Sequence, residues 1–178
     1  DEHLLPRLHG FELMMAPYSI AHLKLGMKLI QTGYNSEVGT RLNVYLTNTL
    51  QPASKVSEWV PDFISEESSS ADQVKLEKPF TVVLGNPPYS VISSNKFGAI
   101  EKLMDDYKTS IKERERQIQA LSDDYVKFIR FSQHLIERTG VGIVGLITNR
   151  NYIGGHLFPD FRSFTINQFD KLIITDLN

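Results

Sequence analysis

The amino-acid sequence predicts an α/β fold with a mostly parallel sheet and helices on both faces. Two observations predict it. Short, continuous apolar runs alternate with helical segments along the 178 residues, and a rigid polar segment directly follows one of these runs. Strands of parallel sheets are buried on both faces, so they are continuously apolar rather than alternating. Ligands of open α/β sheets bind where the strands end, which makes the polar segment the first candidate site.

The first half of the chain predicts three strands and one long helix. The strand candidates are the apolar runs 8–14, 42–47 and 79–85. A helix is predicted over 16–32, because Pro17 suits a first helical turn and Gly33 stands where a C-cap glycine belongs. Residues 51–78 hold two prolines, a serine- and glutamate-rich run and little periodicity. This segment is therefore interpreted as a surface loop or insertion.

The second half continues the alternation of helices and strands. Residues 97–119 carry many charges of both signs and are interpreted as a solvated helical excursion. The remaining runs predict a helix over 123–139, a strand over 141–148, a short helix over 161–168 and a final strand over 169–176.

Composition excludes several classes of protein. Hydrophobic residues make up 41% and charged residues 22%, which is ordinary for a soluble globular domain. No apolar run approaches the ~18 residues that a membrane span needs. The absence of cysteine excludes disulfides and thiolate metal sites, and no metal site is predicted. The net charge of −2 is unlike the basic surface of a nucleic-acid binder. If the chain acts on a nucleic acid, most phosphate contacts must come from elsewhere.

A glycine pattern at residues 140–145 matches the dinucleotide-binding fingerprint G-x-G-x-x-G. That fingerprint requires a strand before it and a helix after it, so that free backbone N–H groups face phosphates. Here a helix precedes the glycines, and 143–147 is interpreted as a strand. The pattern is therefore predicted to be the start of a glycine-containing strand.

The segment Asn86-Pro87-Pro88-Tyr89 directly follows the strand candidate 79–85. Two consecutive prolines cannot extend a sheet and hold the backbone rigid, so the Asn86 side-chain oxygen and the Pro87 carbonyl can converge. Two such acceptors would bond both hydrogens of an exocyclic amine and leave its lone pair to attack a sulfonium methyl. Tyr89 offers a ring on which a flipped-out base can stack. Taken alone, the segment is also compatible with a simple rigid turn.

In these residues the chain resembles the amino-group methyltransferases that carry Asn-Pro-Pro-Tyr. The order of its motifs is similar to that of gamma-class, adenine-specific DNA methyltransferases, in particular the methyltransferase region of type ISP restriction-modification enzymes. The segments that carry the resemblance are 9–29, 44–52, 80–90, 123–153 and 169–178.

The resemblance implies a Rossmann-like, S-adenosylmethionine-dependent methyltransferase fold, with S-adenosylmethionine as the cofactor. It implies cofactor binding at Glu12, Leu13, Asn48 and Thr49. Glu12 would bond the ribose hydroxyls, although an acid in this position also suits the start of a helix. Asn48 stands where the family often has an aspartate that bonds the cofactor's adenine.

The resemblance further implies transfer of a methyl group to the exocyclic amine of adenine in DNA, as part of a restriction-modification enzyme. Asn86, Pro87, Pro88 and Tyr89 match the catalytic motif in full. Residues 149–152 would border the base pocket beside Tyr89, through the side chains of Asn149 and Tyr152. The expected setting is the cytoplasm of a bacterium or archaeon.

One part of the family pattern does not occur in the sequence. The first strand and the glycine-rich loop that follows it should precede Glu12, and the first eleven residues contain neither, so the predicted sheet is incomplete. We therefore expect residues 1–178 to be a partial catalytic domain, inactive alone, that meets DNA through additional regions of a parent protein. Two alternatives stay open: an RNA or protein-glutamine methyltransferase with a similar motif, and a non-catalytic scaffold that keeps the fold.

Overall fold

The computed structural model describes residues 3–34, 41–51, 62–89, 93–110 and 121–177. The fold is mixed α/β, with short parallel sheets and helices. The chain divides into two compact units, Asp1–Lys78 and Pro79–Asn178. No helix within the described ranges is long and apolar enough to cross a membrane.

The first unit is built on a pair of parallel strands. Its elements are a 3-10 helix Leu5–Arg7, strand β1 Gly10–Glu12, helix α1 Met15–Gln31, strand β2 Val44–Leu46 and helix α2 Asp62–Glu77. In the sheet, Glu12 of β1 lies opposite Leu46 of β2. Gly33 follows α1 with a φ of +83°, the left-handed conformation of a C-cap glycine. Two predicted strands and the long predicted helix are confirmed.

Strand β2 forms the core of this unit. All three of its residues are buried, because α1 and α2 both pack against it. Its backbone also bonds to α2, since Leu46 N donates to Glu67 Oε2 at 3.1 Å. The other oxygen of this buried carboxylate pairs with the Arg41 guanidinium at 2.5 Å. A buried charge requires such partners.

The interpretation of residues 51–78 as a surface loop is wrong for 62–77, which form α2. The buried positions Glu67, Ala71, Val74 and Lys75 have helical spacing. Two of them are charged, so a search for apolar periodicity misses the stripe. Lys75 is held inside by Asp72 at 2.6 Å and by the Gln51 carbonyl at 2.8 Å. Residues 52–61 lie outside the described part of the chain.

The second unit also contains one parallel strand pair. Its elements are strand β3 Val82–Gly85, helix α3 Gly98–Met104, a 3-10 helix Asp105–Tyr107, helix α4 Asp124–Glu137, strand β4 Ile143–Leu146, helix α5 Asn151–Gly154 and helix α6 Pro159–Gln168. Gly85 lies opposite Leu146. Beyond the two ends of the ladder, Ile143 N donates to Thr81 O at 2.8 Å and Ile147 N to Gly85 O at 3.0 Å. The predicted strands 79–85 and 141–148 and the helices 123–139 and 161–168 are confirmed.

The core of the second unit surrounds Tyr107, which is fully buried. Its hydroxyl donates to Gln133 Oε1, and its ring meets the ring of Phe161 edge-on at 4.8 Å. Ile100 and Met104 of α3 are equally buried. The interpretation of 97–119 as a solvated excursion is therefore wrong for α3 and the 3-10 helix.

Charged residues of that segment bind buried cations of α4 instead of facing only water. Glu101 lies 2.5 Å from Lys127, and Asp106 lies 2.7 Å from Arg130. Burial by itself would raise the pKa of Glu101, but the hydrogen bonds and charges of Lys127 and Lys108 together outweigh it and lower that pKa. A mixed-sign run can thus belong to a core when its partners come from another helix. Residues 111–120 lie outside the described ranges.

The predicted final strand over 169–176 is not present. Residues 171–177 have no regular structure, and the side chains of Leu172, Ile173 and Ile174 are exposed. A strand needs a neighbour that accepts and donates its backbone hydrogen bonds, and within the described residues none pairs with this segment. The strands of the described residues form two two-stranded parallel sheets, β1–β2 and β3–β4, so the predicted parallel pairing is present in each unit.

The glycines at 140–145 have structural reasons. Gly140 has a φ of +70° at the end of α4. A Cβ on Gly142 would lie 2.6 Å from both the Thr81 carbonyl and Ile136 Cδ1, and one on Gly145 would lie 2.9 Å from Leu84. A helix precedes them and β4 includes the last, which confirms that they start a strand and are not a dinucleotide loop.

Candidate active site

The Asn-Pro-Pro-Tyr motif follows β3 at the edge where β4 also ends. Tyr89 connects the two strand ends, because its hydroxyl lies 2.9 Å from Asn86 Oδ1 and 3.2 Å from the Ile147 carbonyl oxygen. The hydroxyl has one proton, so it donates to one of these acceptors at a time. Pro87 is buried, whereas Asn86, Pro88 and Tyr89 are exposed. The motif thus presents an amide oxygen and an aromatic ring to solvent on a backbone anchored by a buried proline.

The hydrogen bond from Tyr89 identifies the Asn86 side-chain oxygen as an acceptor that already faces a donor. An incoming amine would find this oxygen oriented for the same kind of bond. The convergence of the Asn86 oxygen with the Pro87 carbonyl stays a prediction.

The loop after β4 contains the predicted substrate residues Asn149 and Tyr152. Asn149 Oδ1 accepts a hydrogen bond from Asn151 N at 2.9 Å, so this side chain stabilises the start of α5. The Tyr152 ring packs on Phe161 at 5.2 Å and near Tyr125 at 6.5 Å. Both predicted residues therefore shape the loop.

Tyr152 also lines an apolar cavity of about 750 Å³ between β4, α4, α6 and residues 168–174. Asn86 and Tyr89 do not line this cavity. Burial raises the pKa of the nearby Tyr125 hydroxyl, with a smaller contribution from the Asp123 carboxylate. Tyr125 is therefore a neutral core residue, and it does not supply a base.

The predicted cofactor residues lie at one sheet edge of the first unit. Glu12 ends β1, and its carbonyl accepts from Thr47 N at 2.8 Å, just before Asn48 and Thr49. Glu12 Oε1 accepts from Met14 N at 2.9 Å, and Asn48 Oδ1 accepts from Leu50 N at 3.0 Å. Leu13, which lies between Glu12 and Met14 in the sequence, is 65% exposed.

These groups fit the adenosine part of a nucleoside cofactor. A carboxylate accepts hydrogen bonds from a ribose diol, and an amide both donates to and accepts from a purine edge. The alternative role of Glu12, at the start of a helix, is seen in the structure, since its carboxylate accepts from the backbone N–H just ahead of α1. One carboxylate has two oxygens, so the two roles are compatible. No group of acidic or histidine side chains in the described ranges is arranged to hold a metal ion.

Two features of the site are absent from the sequence analysis. The first is the Ile147 carbonyl, a backbone group that no residue type in the sequence indicates. The second is Arg162 of α6, whose Nη1 donates to the carbonyls of Tyr152 at 3.0 Å and Gly155 at 2.7 Å. An arginine at the second position of the predicted helix 161–168 gives no indication of such a contact.

A profile of the Eco57I restriction-modification methylases matches residues 7–178. The chain belongs to this family. Membership in this family of restriction-modification methylases confirms the resemblance described above. A search of curated proteins finds no match for this chain.

Solved structures of restriction-modification enzymes are similar in fold. A nuclease-deletion mutant of the type ISP enzyme LlaGI, in complex with a DNA substrate mimic, is 20% identical with a TM-score of 0.77 over 94% of this Eco57I-family chain. The type ISP enzyme LlaBIII bound to DNA is 25% identical with a TM-score of 0.68 over 87%. A DrdV–DNA complex is 24% identical with a TM-score of 0.71 over 92%. The family member described here spans only 14%, 10% and 16% of those chains, respectively.

Proposed function

We propose that this chain is the catalytic part of an enzyme that transfers a methyl group from S-adenosylmethionine to the exocyclic amine of adenine in DNA. The observation that carries the proposal is the exposed Asn86 oxygen, held by Tyr89 at the end of a parallel strand. In this proposal the fold is the Rossmann-like fold of S-adenosylmethionine-dependent methyltransferases. The protein acts in a restriction-modification system in the cytoplasm of a bacterium or archaeon.

Methyl transfer to the amine requires hydrogen-bond acceptors for its hydrogens more than it requires a general base. S-adenosylmethionine, when bound, supplies an electrophilic methyl group on a sulfonium. Asn86 Oδ1 and the Pro87 carbonyl accept the two hydrogens of the amine, which turns its lone pair away from the purine ring and toward the methyl carbon. With the cofactor bound, formation of the nitrogen–carbon bond would break the sulfur–carbon bond, the cofactor would leave as a neutral thioether, and the amine would lose one proton to solvent.

Tyr89 has two roles in this proposal. Its ring stacks on the flipped-out adenine, as aromatic rings do in enzymes that act on extruded bases. Its hydroxyl leaves Asn86 Oδ1 when the amine arrives and keeps the Ile147 carbonyl, 3.2 Å away, as its acceptor. When the amine replaces the hydroxyl on Asn86 Oδ1, that oxygen and the Tyr89 hydroxyl therefore both keep a hydrogen-bond partner.

Glu12 and Asn48 hold the adenosine part of the cofactor, with Leu13 and Thr49 beside them. Asn149 and Tyr152 shape the loop that borders the base. The net charge of −2 supports a division of labour in which other regions of a longer protein bind the DNA phosphates.

The test is a methylation assay on the full-length protein with radiolabelled S-adenosylmethionine and duplex DNA, RNA or protein as acceptor. We expect label in duplex DNA, recovered as N6-methyladenine by mass spectrometry. Label in RNA or in glutamine would support the alternative enzymes. Failure to label any acceptor and failure to bind S-adenosylmethionine by calorimetry would support the scaffold.

A further inference from the structure

We propose that Arg162 is a positioning residue for methyl transfer: its guanidinium fixes the turn after α5 and thereby the loop that lies against the catalytic motif. The inference rests on the proposed function, because it concerns the geometry of that same site. Arg162 has no described contact with Asn86 or Tyr89, so its effect passes through the loop.

The loop and the motif are physically joined. The loop begins at Ile147, whose carbonyl lies 3.2 Å from the Tyr89 hydroxyl. Two residues later, the Asn149 side chain binds the backbone N–H of Asn151. A displacement of α5 is therefore transmitted to the Ile147 carbonyl along a few residues of chain.

Helix α5 is too short to be stable without contacts to the rest of the protein. It has four residues, far fewer than an isolated helix needs to be stable in water. Its C-terminal turn is closed by Gly155 N, which donates to the Asn151 carbonyl at 2.9 Å. The turn is so tight that a Cβ on Gly155 would lie 2.5 Å from that same carbonyl oxygen. Something outside the helix has to fix this turn.

Arg162 does so from a well-anchored helix. One guanidinium nitrogen donates to the carbonyls of Tyr152 and Gly155, on either side of the turn. Hydrogen bonds from a charged donor are stronger than neutral ones, and they complement the carbonyl end of a helix. The neighbouring Phe161 is 2% exposed and packs on the rings of Tyr107 and Tyr152. The side chain thus reaches the loop from a rigid base.

The experiment compares Arg162→Met and Arg162→Lys with the wild type in the full-length protein. The DNA duplex carries 2-aminopurine in place of the adenine that the wild type methylates, mapped beforehand by sequencing. Misplacement of a reacting group by about 1 Å costs up to about 100-fold in rate. We expect Arg162→Met to slow single-turnover methylation of the unmodified duplex roughly 10- to 100-fold and to reduce the fluorescence rise that accompanies base flipping. Cofactor affinity should not change, and Arg162→Lys should recover part of the rate.

Arg130→Met is the matched control. Arg130 is another arginine of this unit, buried whereas Arg162 is half-buried, and it pairs with the carboxylates of Asp106 and Glu137 rather than with the loop. We expect it to lower the melting temperature without changing the rate or the fluorescence per folded molecule. The inference is overturned if Arg162→Met behaves like the wild type, or like Arg130→Met. An inactive wild type would overturn the proposed function and this inference together.

Discussion

The two strand pairs present polar groups at their ends in different ways. In the first unit the groups bind the backbone two residues along the chain, as Glu12 binds Met14 N and Asn48 binds Leu50 N. In the second unit the Tyr89 hydroxyl reaches the carbonyl of Ile147, 58 residues away. The bonds of Glu12 and Asn48 join residues that are close in the sequence, so they form wherever the strand ends at that point. The bond from Tyr89 to Ile147 forms only when β3 and β4 pair in the correct register. The predicted cofactor groups thus depend on local sequence, and the predicted catalytic groups depend on tertiary structure.

The strands also differ in burial. β2 is buried along its whole length, but in β3 Val82 is 54% exposed and Leu84 is 76% exposed. The difference follows from the two helices that pack against β2. An apolar run therefore predicts a strand without predicting what covers it.

The substitution with the largest expected effect tests whether Asn86 acts in methyl transfer and not in cofactor binding. Asn86→Ala removes one of two acceptors for the amine, and we expect methyl transfer to fall by about 100-fold or more, as for other preorganised polar groups that act on a transition state. The affinity for S-adenosylmethionine, measured by calorimetry, should stay within twofold, because Asn86 has no role there. A variant with near-normal turnover would contradict the role assigned to Asn86.

The close packing that accompanies the register of β3 and β4 can be tested by substituting two glycines. Gly142→Ala places a Cβ 2.6 Å from the Thr81 carbonyl, so we expect it to destabilise the second unit by about 1–3 kcal/mol in chemical denaturation. Gly10→Ala in β1 is the control, since its Cβ would meet Val44 at an ordinary 3.5 Å. Equal stabilities of the two variants would show that the close contact at Gly142 relaxes without cost.

The two roles of Tyr89 can be separated by two substitutions. Tyr89→Ala loses the stacking surface, which is worth about 1–3 kcal/mol per base, so we expect kcat/KM to fall about tenfold or more. Tyr89→Phe keeps the ring and loses the hydroxyl, and with it the bonds to Asn86 Oδ1 and to the Ile147 carbonyl, and should cost less. If the phenylalanine variant is as slow as the alanine variant, the hydrogen bonds of the hydroxyl matter more than stacking.

The smallest expected effect is in the first unit. Glu12→Ala should raise the Kd for S-adenosylmethionine about fivefold to tenfold, because a hydrogen bond contributes about 1 kcal/mol net. The transfer rate at saturating cofactor should be unchanged. Glu12→Gln keeps an acceptor for Met14 N and serves as the control for the start of α1. An unchanged Kd in Glu12→Ala would restrict this residue to its structural role.

Sequence reasoning succeeded where the signal is local. The strand before Asn86 and the strand that contains Gly145 follow from continuous apolar runs and from residues that end or bend the backbone. It failed where charged side chains are buried, as with Glu67 and Lys75 in α2, because periodicity analysis treats every charge as exposed. It also failed where partners are distant, as with Arg162, since an arginine's acceptors depend on the folded path of the chain. The final strand over 169–176 rests on an apolar run, which does not supply a neighbouring strand.

The backbone bonds at the two ends of the second sheet have a consequence for chain length. Ile143 binds Thr81 at one end and Ile147 binds Gly85 at the other. Successive carbonyls along a strand point in opposite directions. Insertion or deletion of one residue in the turn at 140–142 would therefore reverse the carbonyl that faces Tyr89. The length of this turn thus helps to set which carbonyl faces Tyr89, although the turn lies at the opposite end of β4 from the motif.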